Sequence, residues 1–269
     1  MPQIQLAFLG AGNMAEAIAR GILKAGVLPK AAILAADPDP ARRALFAKSL
    51  GIKAFDDNLA VVERARTVLV AVKPQAFDKA VAPVGGAFGP AKLLISICAG
   101  ISAAHIQETV AAGTRVVRAM PNTPMLVGRG IVGIAPGKNA TDDDLAQAER
   151  LLGAAAEVVR VPEDLIDAVT AVSGSGPAYF FYLVELLAQA GAELGLQPDQ
   201  AMRLARVTFE GAARLLAESG DSAQTLREKV TSPGGTTEAA IRTFAALGLP
   251  KTVAEAVKAA RDRGRELGR

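Results

Sequence analysis

Up to about residue 160 the chain alternates short runs of apolar and β-branched residues with segments of helical period, and after Pro162 the alternation stops. The strand-like runs lie at 4–9, 31–36, 52–55, 67–72, 92–97 and 115–120, with two more at 130–135 and 157–161. The segments between them carry apolar residues at helical spacing. In 13–25, for example, Met14, Ala17, Ile18, Gly21, Ile22 and Ala25 share one face. Strands that alternate with helices bury both faces of a sheet, which predicts a mostly parallel, doubly wound α/β domain over 1–162. Beyond Pro162 the periodicity predicts helices over 164–171, 177–194, 198–218, 222–230, 235–246 and 250–265. Breaks fall at Gly195-Leu196-Gln197-Pro198, at Gly220 and at Gly248-Leu249-Pro250. An all-helical second domain over 163–269 is expected.

One of those helices is unusual. The run "PAYFFYLVELLAQAGAEL" is apolar nearly all round, and such a helix must be buried on every side. About a hundred residues of helical domain can hardly do that alone, so burial against a second subunit is expected rather than a central place in a monomeric bundle.

Composition narrows the function classes. Of 269 residues, 51% are hydrophobic and only 4% aromatic, and the net charge is +3. The basic residues are scattered apart from the tail "RDRGRELGR", and no aromatics interleave with them, which argues against a nucleic-acid surface. No apolar run reaches the length of a membrane span. The start "MPQIQ" lacks a basic segment, so no secretory signal is expected. Cys98 is the single cysteine and His105 the single histidine, which leaves no intramolecular disulfide and no ordinary metal site. Cys98 is expected as a buried strand residue and His105 on a surface helix, so a nucleophilic pair is not expected. A reducing, cytoplasmic location fits this cysteine usage.

The stretch "LAFLGAGNMAEAIARGI" reads Gly-x-Gly-x-x-Ala directly after the first strand and at the start of a helix. Gly10 allows the tight turn, Gly12 lets backbone approach a pyrophosphate, and Ala15 lets helix and strand pack closely. The helix start offers unpaired N–H groups and a partial positive charge to phosphates. Residues Gly10, Ala11, Gly12, Asn13 and Met14 are therefore expected at a dinucleotide, in a Rossmann-type domain. The second strand ends at Asp37, roughly 20 residues beyond the loop, where an acid commonly accepts from the ribose hydroxyls of NAD. Asp37 can instead cap the next helix, and Arg42 and Arg43 stand close enough in sequence to serve a phosphate. Asn58, after the third strand, is a polar residue at an expected helix cap.

Two proline-stiffened loops follow strand ends. "AVKPQ" carries Ala71, Val72, Lys73 and Pro74 past the fourth strand, and "MPNTP" carries Asn122 past the sixth. Carboxyl ends of strands in such a sheet face the ligand crevice. These two loops are read as walls of a nicotinamide pocket.

Late in the chain, "SGSGPAY" at 173–179 is followed by "VTSPGGTTEAAI" at 230–241, a second Gly-rich helix start. Together with "GAGNMA", "AVKPQ" and "MPNTP", in this order and across the whole chain, these motifs resemble the pyrroline-5-carboxylate reductase family. The resemblance implies a Rossmann domain followed by a helical domain that forms an intertwined homodimer, often assembled into larger rings such as decamers. It implies reduction of the cyclic imine L-1-pyrroline-5-carboxylate to L-proline, usually with NADPH and sometimes with NADH. It places Ser232, Gly234, Gly235, Thr236 and Thr237 at the substrate carboxylate and Asn58 at the cofactor. NADPH-preferring relatives often carry Ser, Thr or Asn where this chain has Asp37.

The chemistry suits the residues. A Gly-Gly-Thr-Thr helix start supplies amide donors, dipole and hydroxyls to a small anion without bulk. Catalysis is then mostly positioning, and the Thr237 hydroxyl is the candidate for orienting the ring nitrogen. The nearest rivals are 3-hydroxyacid dehydrogenases of related architecture, which place a Lys and an Asn at spacings where this chain has Phe180 and Val184. An alcohol needs a base to lose its proton, whereas a protonated imine needs no acid, so the absent lysine favours imine chemistry. A dinucleotide-sensing regulator would not need the second loop.

Overall fold

The structure, a computed structural model, describes residues 3–267. Its strands are β1 (Leu6–Leu9), β2 (Ile33–Ala36), β3 (Lys53–Phe55), β4 (Thr67–Val70), β5 (Leu93–Ser96), β6 (Arg115–Met120), β7 (Gly130–Pro136) and β8 (Ala156–Arg160). Among the described residues they form one sheet in the order β3-β2-β1-β4-β5-β6-β7-β8. Every pairing from β3 through to β6 is parallel, β7 runs antiparallel to β6, and β8 is parallel to β7. The run 3-2-1-4-5-6 is the doubly wound dinucleotide-binding order. The strand-like runs read from sequence match these elements to within two residues at each end.

The helices of this part are α1 (Asn13–Lys24), α2 (Pro40–Leu45), α3 (Asn58–Val62), α4 (Phe77–Val81), α5 (Ala103–Thr109), α6 (Asp142–Leu152) and α7 (Ile166–Val169). Alternation along each strand splits the core in two. Leu6 and Phe8 of β1 join Ile18 and Ile22 of α1 and Leu145 and Leu152 of α6. Ala7 and Leu9 face the other way, onto Val61 of α3, Phe77 and Val81 of α4 and Ile106 of α5. A sheet covered on both faces has no polar face, which is why β1, β2, β4 and β5 are buried throughout their length.

The remaining helices are α8 (Gly176–Glu193), α9 (Pro198–Glu218), α10 (Ala223–Lys229), α11 (Thr236–Ala246) and α12 (Leu249–Leu267). By packing, residues 3–175 together with 260–267 make one compact unit, and Gly176–Ala259 makes a second. Inside the second unit α8 meets α9 over small residues, with Ala188, Ala201 and Ala205 buried. Most of α8 is not buried as the sequence demands. Phe180, Phe181 and Tyr182 are 53%, 59% and 60% exposed in the single chain, and Leu183, Leu186 and Leu187 are exposed beside them.

Three local expectations are corrected. The cap of α3 is Asp57, whose side chain accepts from the Leu59 N–H at 2.8 Å, and Asn58 is the first helical residue. The cap of α2 is Asp39, accepting from the Ala41 N–H at 2.8 Å, so Asp37 does not cap that helix. Cys98 is buried, but it lies just beyond the end of β5. Its thiol donates to the Val72 carbonyl at 3.3 Å, with the Val70 carbonyl at 3.8 Å, and so ties the loop after β4 to the end of β5.

Phe8 is fully buried and meets Phe46 edge-on with centroids 6.0 Å apart. Phe8→Ala is expected to cost about 3–5 kcal/mol of unfolding free energy, read by denaturant titration. Burial raises the Cys98 thiol from an ordinary value of 9.0 to about 11. Between those values the folded chain holds a proton that the unfolded chain has released, so stability falls as pH rises. Over that window the wild type is expected to lose on the order of 2 kcal/mol more than Cys98→Ala; equal slopes would show that the thiol is not held neutral by the fold.

Candidate active site

Because β1 to β6 run parallel, their carboxyl ends lie on one rim. The structure puts Gly10–Met14, Asp37, Asn58, Ala71–Pro74 and Asn122 at the ends of β1, β2, β3, β4 and β6 on that rim. They are far apart in sequence, and the parallel pairing alone brings them to one edge.

The glycine loop is shaped by its neighbours. Gly10 has φ +94°, and a Cβ there would stand 2.8 Å from the Ala71 carbonyl oxygen, so a side chain is excluded on both counts. Its N–H donates to the Ala36 carbonyl at 2.8 Å. Gly12 precedes α1 in extended conformation and caps it with no side-chain acceptor. A Cβ on Gly12 would meet nothing within 4 Å. An open space beside Gly12 in front of uncapped amides is the cradle a pyrophosphate fits, and the residues present therefore suit a dinucleotide.

Asp37 lies directly beside this loop. Its Oδ2 accepts from the Ala11 N–H at 2.7 Å and its Oδ1 from the Asp39 N–H at 2.9 Å. The two arginines that follow turn inward. Arg42 donates through Nε to the Ala11 carbonyl at 2.5 Å and through Nη2 to Glu16 at 2.9 Å. Arg43 donates through Nη1 to the Asp37 and Pro38 carbonyls, both at 2.8 Å. Glu16 also accepts from Arg20 at 2.8 Å. Burial pushes its carboxyl up, but the hydrogen bonds and charges of Arg20 and Arg42 outweigh that and hold it below its usual range. Glu16 escaped the sequence reading because an acid in a first helical turn ordinarily answers only the helix dipole.

The strand-end loops are anchored as well. The Ala71 N–H donates to the Leu9 carbonyl at 2.7 Å, and Cys98 holds Val72 from below. Lys73 is exposed just before a short 3₁₀ turn at Pro74–Ala76. Asn58 donates through Nδ2 to the Ala80 carbonyl at 2.9 Å, joining α3 to α4. Asn122 is buried, and its Oδ1 accepts from the Ile131 N–H at 3.0 Å, closing the "MPNTP" loop onto β7. His105 faces Asp78 at 2.7 Å, and Cys98 carries its proton, so these two residues form no nucleophilic pair. Among the described residues no group of His, Cys, Asp or Glu could hold a metal ion.

In the second unit, Ser232 to Thr237 form the turn that opens α11. Gly234 has φ +71°, a left-handed turn position suited to glycine. The Gly235 N–H donates to the Ser232 carbonyl at 2.9 Å, and the Gly234 N–H donates to Glu238 Oε2 at 2.7 Å. Two of the loop's amides are thus used within the chain. The Thr236 and Thr237 amides head the helix, where no intrahelical acceptor exists. Glu238 was not singled out from sequence: the N-cap of α11 is Gly235, which has no side chain to complete a capping box, and Glu238 reaches past it to the Gly234 amide.

Residues 163–267 match the family model for pyrroline-5-carboxylate reductase dimerisation, and residues 5–100 match the model described as NADP oxidoreductase coenzyme F420-dependent. A pyrroline-5-carboxylate reductase of Synechocystis is 41% identical over 99% of both chains. The solved pyrroline-5-carboxylate reductase of Coxiella burnetii is 33% identical with a TM-score of 0.92, covering 99% of both chains. The Plasmodium falciparum pyrroline carboxylate reductase, solved with NADP bound, is 29% identical with a TM-score of 0.85 and covers each chain in full, 100%. With relatives of this identity along its whole length, and the glycine loop and second-unit turn described above, the chain belongs to the pyrroline-5-carboxylate reductase family.

Proposed function

We propose that this protein is a cytoplasmic NAD(P)H-dependent imine oxidoreductase that reduces L-1-pyrroline-5-carboxylate to L-proline, the last step of proline biosynthesis. The observation that carries this reading is the full-length identity to enzymes of that name. No helix among the described residues is long and apolar enough to cross a membrane.

Gly10, Ala11, Gly12, Asn13 and Met14 would hold the dinucleotide's phosphates, Asp37 its ribose, and Asn58, Ala71, Val72, Lys73, Pro74 and Asn122 the remainder. Reduced nicotinamide, when bound, supplies hydride. The rest of the work falls to the chain. Because Glu238 and the Ser232 carbonyl occupy the Gly234 and Gly235 amides, those glycines shape the turn. The Thr236 and Thr237 amides and hydroxyls are then the donors for the substrate carboxylate, helped by the α11 dipole. Ser232 lines the same turn. The Thr237 hydroxyl orients the ring nitrogen. It does not protonate it, since an aliphatic hydroxyl is a poor acid and the imine arrives protonated.

The exposed aromatic stripe of α8 supports a homodimer built on the second unit; further assembly into a larger ring rests on the family resemblance alone. Apolar surface this contiguous is characteristic of an obligate interface.

Purified protein is expected to oxidise reduced nicotinamide cofactor in the presence of pyrroline-5-carboxylate; binding of cofactor with no oxidation would leave the sensor reading in its place. Thr237→Ala is expected to lower kcat about 10- to 100-fold, the size of a lost charge-assisted hydrogen bond, while cofactor affinity stays unchanged. Unaltered kcat would remove Thr237 from the mechanism. Phe181→Asp is expected to shift the protein toward monomer in sedimentation velocity, and an unshifted assembly would place the interface elsewhere.

A further inference from the structure

The loop after β6 carries a donor that the chain itself does not use. Asn122 is only 8% exposed. Its Oδ1 accepts from the Ile131 N–H at 3.0 Å, and that bond decides which end of the amide is which. Nδ2, with two hydrogens to give, finds no acceptor among the described residues. A largely buried amide that gives up water without gaining an acceptor is costly, so this donor calls for a partner from outside the chain. Pro121 and Pro124 have no N–H, so the loop that they stiffen has lost two main-chain donors. The Asn122 side chain supplies donors where the backbone has few.

We propose that Asn122 Nδ2 donates to the carboxamide oxygen of the cofactor's nicotinamide ring and so sets how the ring is turned about its bond to the ribose. The proposal rests on the dinucleotide reading of the first unit and deepens it.

The order of the strands selects this acceptor. The glycine loop follows β1, and Asp37 lies at the end of β2 on one side of it. A dinucleotide with its phosphates at the glycine loop and its first ribose at Asp37 sends its other half over the ends of β4, β5 and β6. The carboxamide oxygen is the one strong acceptor on the nicotinamide ring. The substrate carboxylate already has its donors in Thr236 and Thr237. Asn122 is also pre-set for the task, because its amide plane is pinned to β7 and needs no ordering when the ring arrives. Half a turn of the ring would move the carboxamide to the opposite side and present the other face to the imine. A fixed donor for the carboxamide therefore selects the face from which hydride leaves.

The test compares ligands that differ only in the nicotinamide. NADH is set against ADP-ribose, and NADPH against 2′-phospho-ADP-ribose, by calorimetric titration of the full-length protein without imine. Asn122→Asp keeps an acceptor for the Ile131 N–H and removes both donors. It is expected to weaken the dinucleotides about 5- to 50-fold, the size of a hydrogen bond replaced by two facing acceptors, and to leave the ADP-riboses within about twofold. Equal weakening of both members of a pair would show a loop that has merely collapsed, and unmoved dinucleotides would show that Nδ2 faces water; either overturns the proposal. A second measurement needs no substitution. The 3-acetylpyridine analogue of NAD keeps the carbonyl oxygen and is expected to bind wild type within about twofold of NAD, whereas the thionicotinamide analogue, whose sulfur is a weaker acceptor, is expected to bind about 3- to 10-fold more weakly. Two analogues of equal affinity would contradict a bond to that oxygen. Failure of the functional reading looks different: the pattern of affinities would persist while pyrroline-5-carboxylate went unreduced.

Discussion

Parallel pairing of β1 with both β2 and β4 is the constraint on which the first unit rests. It makes each connection cross over the sheet, so helices cover both faces and the strands lose any polar side. It also collects every carboxyl end on one rim, where the next residues leave the ladder and their amides and side chains become available. The loop after β1 is then squeezed by its neighbours. Gly10 has no room for a Cβ beside Ala71, and its N–H is taken by Ala36 of β2. A cofactor site follows from the direction of the strands before any particular side chain is considered.

Charge is distributed with economy on this rim. The backbone of Ala11 is gripped on both sides, its N–H by Asp37 and its carbonyl by Arg42, and Glu16 closes the ring of contacts from the first turn of α1. The turn that opens α11 shows a related device in the second unit, where Glu238 reaches back to the Gly234 amide. In both places the chain's own carboxylates satisfy some amides of a helix-start loop, while the amides at the head of the helix have no intrahelical acceptor.

Much of this was legible in the sequence because the signals are local. Strand and helix periods placed all eight strands to within two residues, and Gly-x-Gly-x-x-Ala located the rim. The misreadings are equally physical. Asp57 and Asn58 are adjacent and both are good caps, as are Asp37 and Asp39, and only backbone angles choose between them. Cys98 looked like strand because its run is apolar, yet β5 stops at Ser96 and the thiol bonds a neighbouring loop. Inward-turning Arg42 and Arg43 were illegible, since their acceptors are main-chain carbonyls, which every residue carries. The all-round apolar α8 gave a contradiction that one chain does not resolve, with Phe181 and Tyr182 more than half exposed.

The most direct test of this enzyme's chemistry follows the hydrogen. Protein incubated with pyrroline-5-carboxylate and nicotinamide cofactor deuterated at the reduced carbon yields proline for mass spectrometry. Proline carrying one deuterium on the δ carbon, the former imine carbon, is the expected result. Proline without label, or no proline alongside intact cofactor binding, would contradict it.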